Sequence, residues 1–344
     1  MGLSDYIIRR ILLVIPTLIG VVILIFAVVQ LLPPERRVLL YVDDPRFARD
    51  TALAIKAYGL DQPVWVQFVN WMSDLLKGNL GWSEVGSAPV MKAIIERIPA
   101  TAEIVLFSAP IIIFVGIKLG ELSAVHRDKP IDHVTRGLSI MGTSLPSFWV
   151  GIVLLAIFYR ALGWFGPGRV GNDAFMYIQN SPDWHWYTHL ITIDSLINGQ
   201  FWIFTDVVTH LVMPVITLST INIATLARVM RSSMLESLSK TYIVSARVKG
   251  LKNAEVISKH ARRNALIPVV TLSGLMVAGM LTGLTITETV FSYPGLGAFA
   301  ASAAILLDIP TVIGYALFSG ILFVFSNLIV DILYAFLDPR IRLG

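Results

Sequence analysis

The sequence predicts an all-α integral membrane protein, and its composition is the first evidence. Of the 344 residues, 55% are apolar and only 15% are charged, and the mean hydropathy is +0.72. Soluble domains average about 45–50% apolar and about 25% charged residues. The composition therefore excludes an ordinary water-soluble enzyme. It also excludes a disordered chain, because such chains are poor in apolar residues.

Six stretches are long and apolar enough to cross a bilayer, since a spanning helix needs about 20 mostly apolar residues. These predicted spans are Ile11–Leu32, Thr101–Leu122, Ile140–Leu162, Ile203–Leu226, Ile267–Thr287 and Thr311–Leu337. The first follows Arg9 and Arg10, as in a signal peptide, but its apolar run is too long and the segment after it, Leu32–Arg37, is a poor small-residue cleavage site. We therefore expect an uncleaved anchor.

The distribution of Lys and Arg predicts the topology. Sixteen lie in the N-terminus, the 123–139 and 227–266 loops and the C-terminal tail, whereas nine lie in segments 33–100 and 163–202. Basic loops stay cytoplasmic, so both termini are expected inside. Seven of the eight Trp residues fall in the two outer segments, where their rings favour the membrane interface.

The outer segment 33–100 carries the start and stop signals of short helices. Asp44-Pro45 can start a helix that Gly59 ends, and Asp61 and Pro63 can start another that ends near Gly78. The second helix has one apolar face suited to lying on the membrane or on a partner, formed by Val64, Phe68, Trp71, Met72 and Leu75. A third amphipathic stretch, Pro89–Ile98, leads into the second span.

The outer segment 163–202 is rich in aromatic residues. They are Trp164, Tyr177, Trp184, Trp186, Tyr187 and Trp202. An interfacial aromatic belt is the simplest interpretation. The alternatives are a docking face for another protein or a platform on which sugars stack.

The 227–266 loop is predicted to form a compact helix–turn–helix at the cytoplasmic surface. Tyr242–Lys249 forms a short helix with small residues at Ser245 and Ala246, and Gly250 ends it. A second helix places Ile257, His260 and Asn264 on one face, and Pro268 begins the next span. The exposed small residues would suit insertion into a groove on another protein. The alternative is a basic juxtamembrane segment that binds anionic lipid.

Motifs along nearly the whole chain resemble those of ABC importer permeases of the dipeptide/oligopeptide/nickel family. The ordered set comprises Arg9–Leu12, Tyr58–Pro63, Gly78–Gly81, Arg97–Thr101, Ser144–Trp149, Glu288–Gly297 and Leu337–Arg340. Pro33-Pro34-Glu35 departs from the family's Gly-Asp-Pro, and segment 171–200 is longer than expected. Val244-Ser245-Ala246 stands where the general importer signature has Glu-Ala-Ala.

The resemblance implies a six-span, type I importer permease with a large outer helical segment. It divides the chain into an N-terminal tail and first span (1–32), the outer segment (33–100) and a permease core (101–344). It also implies that residues of the cytoplasmic loop contact an ATPase, namely Tyr242, Ser245, Ala246, Arg247, Lys249, Gly250 and Leu251. Ile257, His260, Asn264 and Pro268 would pack that loop.

The implied partners are a second homologous permease, two ABC ATPase subunits, an extracytoplasmic solute-binding protein and the lipid bilayer of a prokaryotic cell. The sequence has no Gly-x-x-x-x-Gly-Lys-Ser/Thr phosphate loop, so ATP and Mg would bind the ATPase subunits and no cofactor is expected on this chain. Peptides are the leading solute, with oligosaccharides or nickel as alternatives. A stand-alone channel or secondary carrier is the alternative of a different class.

Ionisable residues within spans are functional candidates because burying a charge in the membrane is costly. For the translocation path or outer gate we expect Glu103, Ser147, Phe148, Glu288 and Tyr293. Lys118 and Glu121 are expected to pair with each other, and Asp331 to pack near Arg340.

Catalytic and metal sites are not expected. His185 and His189 have a metal-ligand spacing but lack a third ligand, and Asp206 and His210 share a face that suits a hydrogen bond at the start of a span. No nucleophile–base–orienter set is visible, so the chain is not predicted to be an enzyme. Nucleic acid is not an expected partner, because the basic residues flank hydrophobic spans.

Overall fold

The computed structural model describes residues 3–42 and 51–337. Within these ranges, five helices are long and apolar enough to cross a membrane, and a bent helix pair makes a sixth if it counts as one span. Apart from one short β-hairpin, the regular structure there is helical. The predicted all-α membrane fold is confirmed.

The chain begins with the long helix α1 (Leu3–Val29), which leads into the outer helical segment. That segment contains α2 (Pro34–Arg37), a 3-10 turn (Val38–Leu40), α3 (Thr51–Ala57), α4 (Val64–Leu76), an antiparallel hairpin of β1 (Trp82–Ser83) and β2 (Ala88–Pro89), and α5 (Val90–Ile95). Gly59 and Gly78 have positive φ after α3 and α4, as the sequence predicts. The predicted start signal Asp44-Pro45 lies outside the described residues.

The apolar face of α4 packs on the chain itself. The rings of Phe68 and Trp71 lie 5.1 and 5.4 Å from the ring of Phe26 in α1. Phe68, Trp71 and their neighbours share a hydrophobic core with α1, α5 and the last long helix. Four of the five residues of this face therefore pack on the chain itself rather than on the membrane or on a partner, while Val64 is 53% exposed.

The predicted third span is broken. After α6 (Ile98–Val125), helix α7 (Pro130–Ser144) meets α8 (Ser147–Leu154) and a π-helical turn (Leu155–Ala161) at 97°. Leu145 is extended, with ψ 127°, because the ring of Pro146 disfavours helical geometry in the residue before it. A single helix over Ile140–Leu162 is thus corrected to two helices at nearly a right angle.

The fourth long helix is much longer than predicted. After α9 (Asn172–Asn180) and α10 (Ile191–Ile197) in the second outer segment, α11 runs from Phe201 to Leu238. Its 38 residues include the first part of the predicted 227–266 loop. A Cβ on Gly116 or Gly120 of α6 would lie within 3 Å of α11 atoms. The two helices therefore interlock through close backbone approach.

The remaining helices complete the cytoplasmic and outer turns. They are α12 (Thr241–Val248), α13 (Asn253–Glu255), a π-helical turn (Val256–Ala261), α14 (Arg262–Leu281), α15 (Thr285–Val290), α16 (Leu296–Ile305) and α17 (Ile309–Leu337). Pro268 lies inside α14 rather than starting it. The fifth span ends at Leu281, before the predicted Thr287, because Gly283 adopts φ +129° and breaks the helix.

Candidate functional site

Helix α12, which carries most of the predicted ATPase-contact residues and is called the coupling helix below, is fixed by one buried face and exposes the other. Ile243 is fully buried and Ala246 is 6% exposed, whereas Val248 is 82% exposed. The other predicted ATPase-contact residues, Tyr242, Ser245, Arg247, Lys249, Gly250 and Leu251, are all exposed. Only Ala246 of the predicted set is turned inward, so the exposed surface is larger and more apolar than a small-residue knob.

The end of the coupling helix is a Schellman motif. Gly250 has φ +79°, its N–H donates to the carbonyl of Arg247 at 2.9 Å, and the N–H of Leu251 donates to the carbonyl of Ala246 at 3.3 Å. These two bonds satisfy carbonyls that a helix end would leave free. The turn therefore holds the exposed residues in a defined position.

The helix that supports α12 buries a face other than the predicted one. Val256, Ala261, Ala265 and Val269 are buried, at spacings of five, four and four. The π-helical turn accounts for the first interval, since its hydrogen bonds span five residues and rotate the helix face.

The predicted packing residues lie beside this face. Ile257 and His260 are half-buried, and Asn264 and Pro268 are exposed. Ile257 still contacts the main core, while the amide of Asn264 donates to the carbonyl of His260 at 2.8 Å. Of the four predicted residues, Ile257 alone is among those that pack against the core.

A buried ion pair lies next to this cytoplasmic region, and it was not predicted from the sequence. Arg231 of α11 forms two hydrogen bonds with the Asp132 carboxylate, at 2.7 and 2.8 Å. Asp132 also accepts hydrogen bonds from the Ser123 hydroxyl and the Asp128 N–H. The pair joins the end of α6 and the start of α7 to the cytoplasmic part of α11. Its partners are 99 residues apart, so no local spacing could reveal it.

Glu103 and Glu288, the two carboxylates predicted for the path or outer gate, are called the outer carboxylates below. Glu103 is fully buried and holds several segments together. It pairs with Arg169 at 2.7 Å and accepts two hydrogen bonds from Thr192, at 2.8 and 3.0 Å. The hydroxyl of Tyr293 donates to it at 3.3 Å. Glu103 has no accessible surface, so in this conformation it contacts neither water nor a solute. Arg169 is the only Lys or Arg in segment 163–202. This was the one signal in the sequence that could have suggested Arg169 as a partner for Glu103.

Glu288, the second outer carboxylate, holds the turn between α15 and α16. It accepts hydrogen bonds from the Thr101 hydroxyl at 2.6 Å and from the Ala298 N–H at 2.8 Å. Burial raises its pKa, and these hydrogen bonds oppose the rise. A Cβ on Gly295 would lie 2.3 Å from the carboxylate, which explains the glycine in this turn.

The structure brings three of the five predicted path residues together. Glu103, Glu288 and Tyr293 meet between the outer end of α6 and the α15–α16 turn, and all three are fully buried. Ser147 is half-buried and Phe148 is exposed, both at the start of α8. The path role remains a prediction for all five.

Two predicted charge pairs have different partners. Glu121 lies 3.8 Å from Arg262, so the expected Lys118–Glu121 pair is corrected. Asp331 pairs with Arg10 at 2.8 Å, which links α17 to α1, and Arg340 lies outside the described residues.

His189 and His210 make ordinary structural contacts. His210 Nδ1 lies 2.8 Å from the Asp206 carbonyl, as expected for a hydrogen bond at the start of a span. His189 stacks on Trp186 with ring centroids 5.3 Å apart. Across the described ranges, no group of three His, Asp or Glu residues is placed to hold a metal ion.

Comparison with known proteins agrees with the predicted membrane fold. Residues 112–343 match the family described as binding-protein-dependent transport system inner membrane component. The chain is 38% identical over 341 residues to the dipeptide transport system permease protein DppB of Escherichia coli, covering 98% of each chain. It is 36% identical over 342 residues to the oligopeptide transport system permease protein AppB of Bacillus subtilis, covering 99% of this chain and 100% of the relative.

A third relative, the di/tripeptide transport system permease protein DppB of Pseudomonas aeruginosa, is 37% identical over 346 residues, covering 98% of each chain. The family description and the apolar helices confirm the predicted multi-pass location in a prokaryotic cell membrane. The chain belongs to the binding-protein-dependent transport system inner membrane components and is an ABC importer permease.

Proposed function

We propose that this chain is one of two homologous permease subunits that together form the pore of an ATP-driven importer of di- or oligopeptides. Two ABC ATPase subunits, holding ATP and Mg, would bind its cytoplasmic side. An extracytoplasmic solute-binding protein would deliver the peptide to its outer side. The peptide cargo is supported by the relatives named above, each of which is a peptide transport permease.

The exposed face of the coupling helix is the observation that carries the proposal. Val244, Val248 and Leu251 are apolar and exposed in a segment that the charge topology places in the cytoplasm. Arg247 and Lys249 flank them. Exposed apolar groups rimmed by charge are typical of a contact with a protein or a membrane, and membership of the importer family supports an ATPase groove as the partner.

The route from the coupling helix to the membrane is continuous. Only Ser239 and Lys240 separate α12 from the 38-residue α11, whose length is about 57 Å at 1.5 Å per residue. Close packing of α6 on α11 at Gly116 and Gly120, together with the Asp132–Arg231 pair, joins these helices into one unit. Closure of the ATPase pair would therefore tilt this unit as a rigid body.

The solute is tested by assembling the chain with its partner subunits and binding protein and measuring ATP hydrolysis. A peptide mixture, an oligosaccharide mixture and nickel are supplied in turn. We expect stimulation by peptides alone. Stimulation by sugars or by nickel instead would reject the peptide assignment and retain the permease.

The alternative of a stand-alone channel or secondary carrier is tested with the purified chain in lipid vesicles. The proposal predicts no peptide uptake by this chain without the ATPase subunits. Uptake at a rate comparable to that of the complete complex would overturn it.

A further inference from the structure

The outer side has a cavity of about 350 Å³ beside the α15–α16 turn, called the Arg97 cavity below. Its lining includes Arg97, Ser292, Pro294, Ser302 and Ile305. By the charge topology, the described elements that form it lie between the outer ends of α6 and α17. The cavity therefore opens on the side from which a solute would arrive.

Arg97 is held in this cavity without a carboxylate partner. One of its Nη atoms donates to the Ala93 carbonyl at 2.7 Å, and its guanidinium lies over the ring of Phe299, 3.9 Å from the ring centroid. Among the described residues, no salt bridge to Arg97 is found, and the charge of Glu96 acts on it only from a distance. Its neighbour Glu96 is 3.8 Å from Lys92.

The carboxylate nearest to the cavity wall does not neutralise Arg97. Glu288 lines the cavity but has no accessible surface, because Thr101 and Ala298 cover both of its oxygens. The exposed polar groups that line the cavity beside Arg97 are the hydroxyls of Thr289, Ser292 and Ser302. The cavity thus presents a cation and three hydroxyls to whatever enters it.

We propose that Arg97 binds a carboxylate of the solute in this cavity. Guanidinium groups bind carboxylates through two parallel, charge-assisted hydrogen bonds, and the contact with Phe299 holds the guanidinium plane in place. This assignment rests on the proposed function, since a peptide carries a free C-terminal carboxylate. It makes Arg97 a determinant of which solutes cross.

A second cavity on the outer side is lined by acidic residues instead of Arg97, and it therefore serves as an internal control. This second cavity has a volume of about 560 Å³ and is lined by Asp173, Asp206, Trp202 and Thr205, among others. Thr205 is exposed there, as Ser302 is in the Arg97 cavity. The two positions allow the same probe to report on the two cavities.

The test uses single cysteines, which is possible because the chain has none. Ser302→Cys and Thr205→Cys are placed separately in the complete complex in membranes. Each is modified with an anionic sulfonatoethyl or a cationic trimethylammonioethyl methanethiosulfonate. The ratio of the anionic to the cationic rate is measured with Arg97 intact, with Arg97→Gln and with Arg97→Lys.

We expect Arg97→Gln to lower the ratio at Ser302→Cys at least about tenfold, because the loss of a nearby positive charge slows the anionic reagent and speeds the cationic one. Arg97→Lys should retain most of the ratio, and Thr205→Cys should be unaffected, which also shows that the variants are folded. An unchanged ratio, or no reaction at Ser302→Cys, would overturn the proposal.

The ligand is tested by protection of Ser302→Cys with Arg97 intact. Ala-Ala should slow the modification, and Ala-Ala amide at the same concentration should not. Equal protection by both peptides, or by neither, would reject a carboxylate site. The charge ratio needs no solute, so failure of peptide-stimulated ATP hydrolysis in the unsubstituted complex would reject the proposed function alone.

Discussion

The outer carboxylates and the coupling helix lie on opposite sides of the membrane and differ most in accessibility. Glu103 and Glu288 are fully buried and saturated with hydrogen bonds. The coupling helix instead leaves Val248 and its neighbours in contact with solvent. Charged residues buried inside the chain here join its segments together, whereas exposed apolar residues outside the membrane are available to a partner.

The comparison also separates two ways of fixing a backbone. On the outer side, side chains such as Thr101 and Arg169 hold distant segments around a carboxylate. At the coupling helix, a backbone turn at Gly250 and one buried residue, Ile243, suffice. The outer side should therefore be sensitive to loss of a side chain, and the inner helix to backbone strain and surface change.

Loss of the Glu103 charge should have the largest effect on stability. Glu103→Gln leaves Arg169 without its ionic partner, and breaking a buried pair costs about 3–5 kcal/mol. The midpoint of thermal unfolding of the purified chain in lipid should fall sharply. Asp74→Asn is the matched control, since Asp74 pairs with the exposed Lys77 at 3.7 Å and should change little. Equal effects of the two substitutions would contradict the structural role of Glu103.

Filling the α6–α11 contact should have the next largest effect. A Cβ on Gly120 would lie 2.6 Å from the Ala227 carbonyl oxygen and from Met230 Cβ, so Gly120→Ala should cost about 1–3 kcal/mol through overpacking. Gly137→Ala, in α7, is the control because no described atom lies within 4 Å of its Cβ position. The unfolding midpoints of the two variants are compared. A midpoint for Gly137→Ala that is as low as that of Gly120→Ala, or lower, would contradict the packing argument.

Backbone strain at Gly250 should have a smaller effect on stability and a specific effect on coupling. Gly250 and Gly78 have φ of +79° and +82°, and at both positions the described chain leaves space for a Cβ. An alanine at either should cost about 1–2 kcal/mol. Only Gly250→Ala should lower solute-stimulated ATP hydrolysis by the complex. Loss of coupling in Gly78→Ala as well would show that the effect is general instability.

Features of the chain that depend on a local pattern could be predicted from the sequence. The coupling helix and its glycine end follow from ten consecutive residues, and the long apolar runs predict most of the spans. The right-angle break at Leu145-Pro146 also has a local signal, the proline itself. The prediction relied on hydrophobicity alone and therefore treated the two helices as one span.

Contacts between distant residues were not accessible in the same way. Glu103 and Arg169 are 66 residues apart, and nothing in their spacing pairs them. The π-helical turn at Val256–Ala261 shifts the buried face of its helix, and a pattern based on the regular α-helical period predicts the wrong residues there. The exposure of Val248 follows from the same tertiary packing that buries Ile243.

The most direct test of the account is Val248→Asp in the assembled complex. Val248 is 82% exposed, so the unfolding midpoint should stay unchanged, while solute-stimulated ATP hydrolysis and uptake should fall at least about tenfold because a buried unpaired charge weakens an interface by several kcal/mol. Ala254→Asp, which adds the same charge at an exposed position outside α12, should have a smaller effect. Unchanged uptake in Val248→Asp would contradict the assignment of the coupling helix.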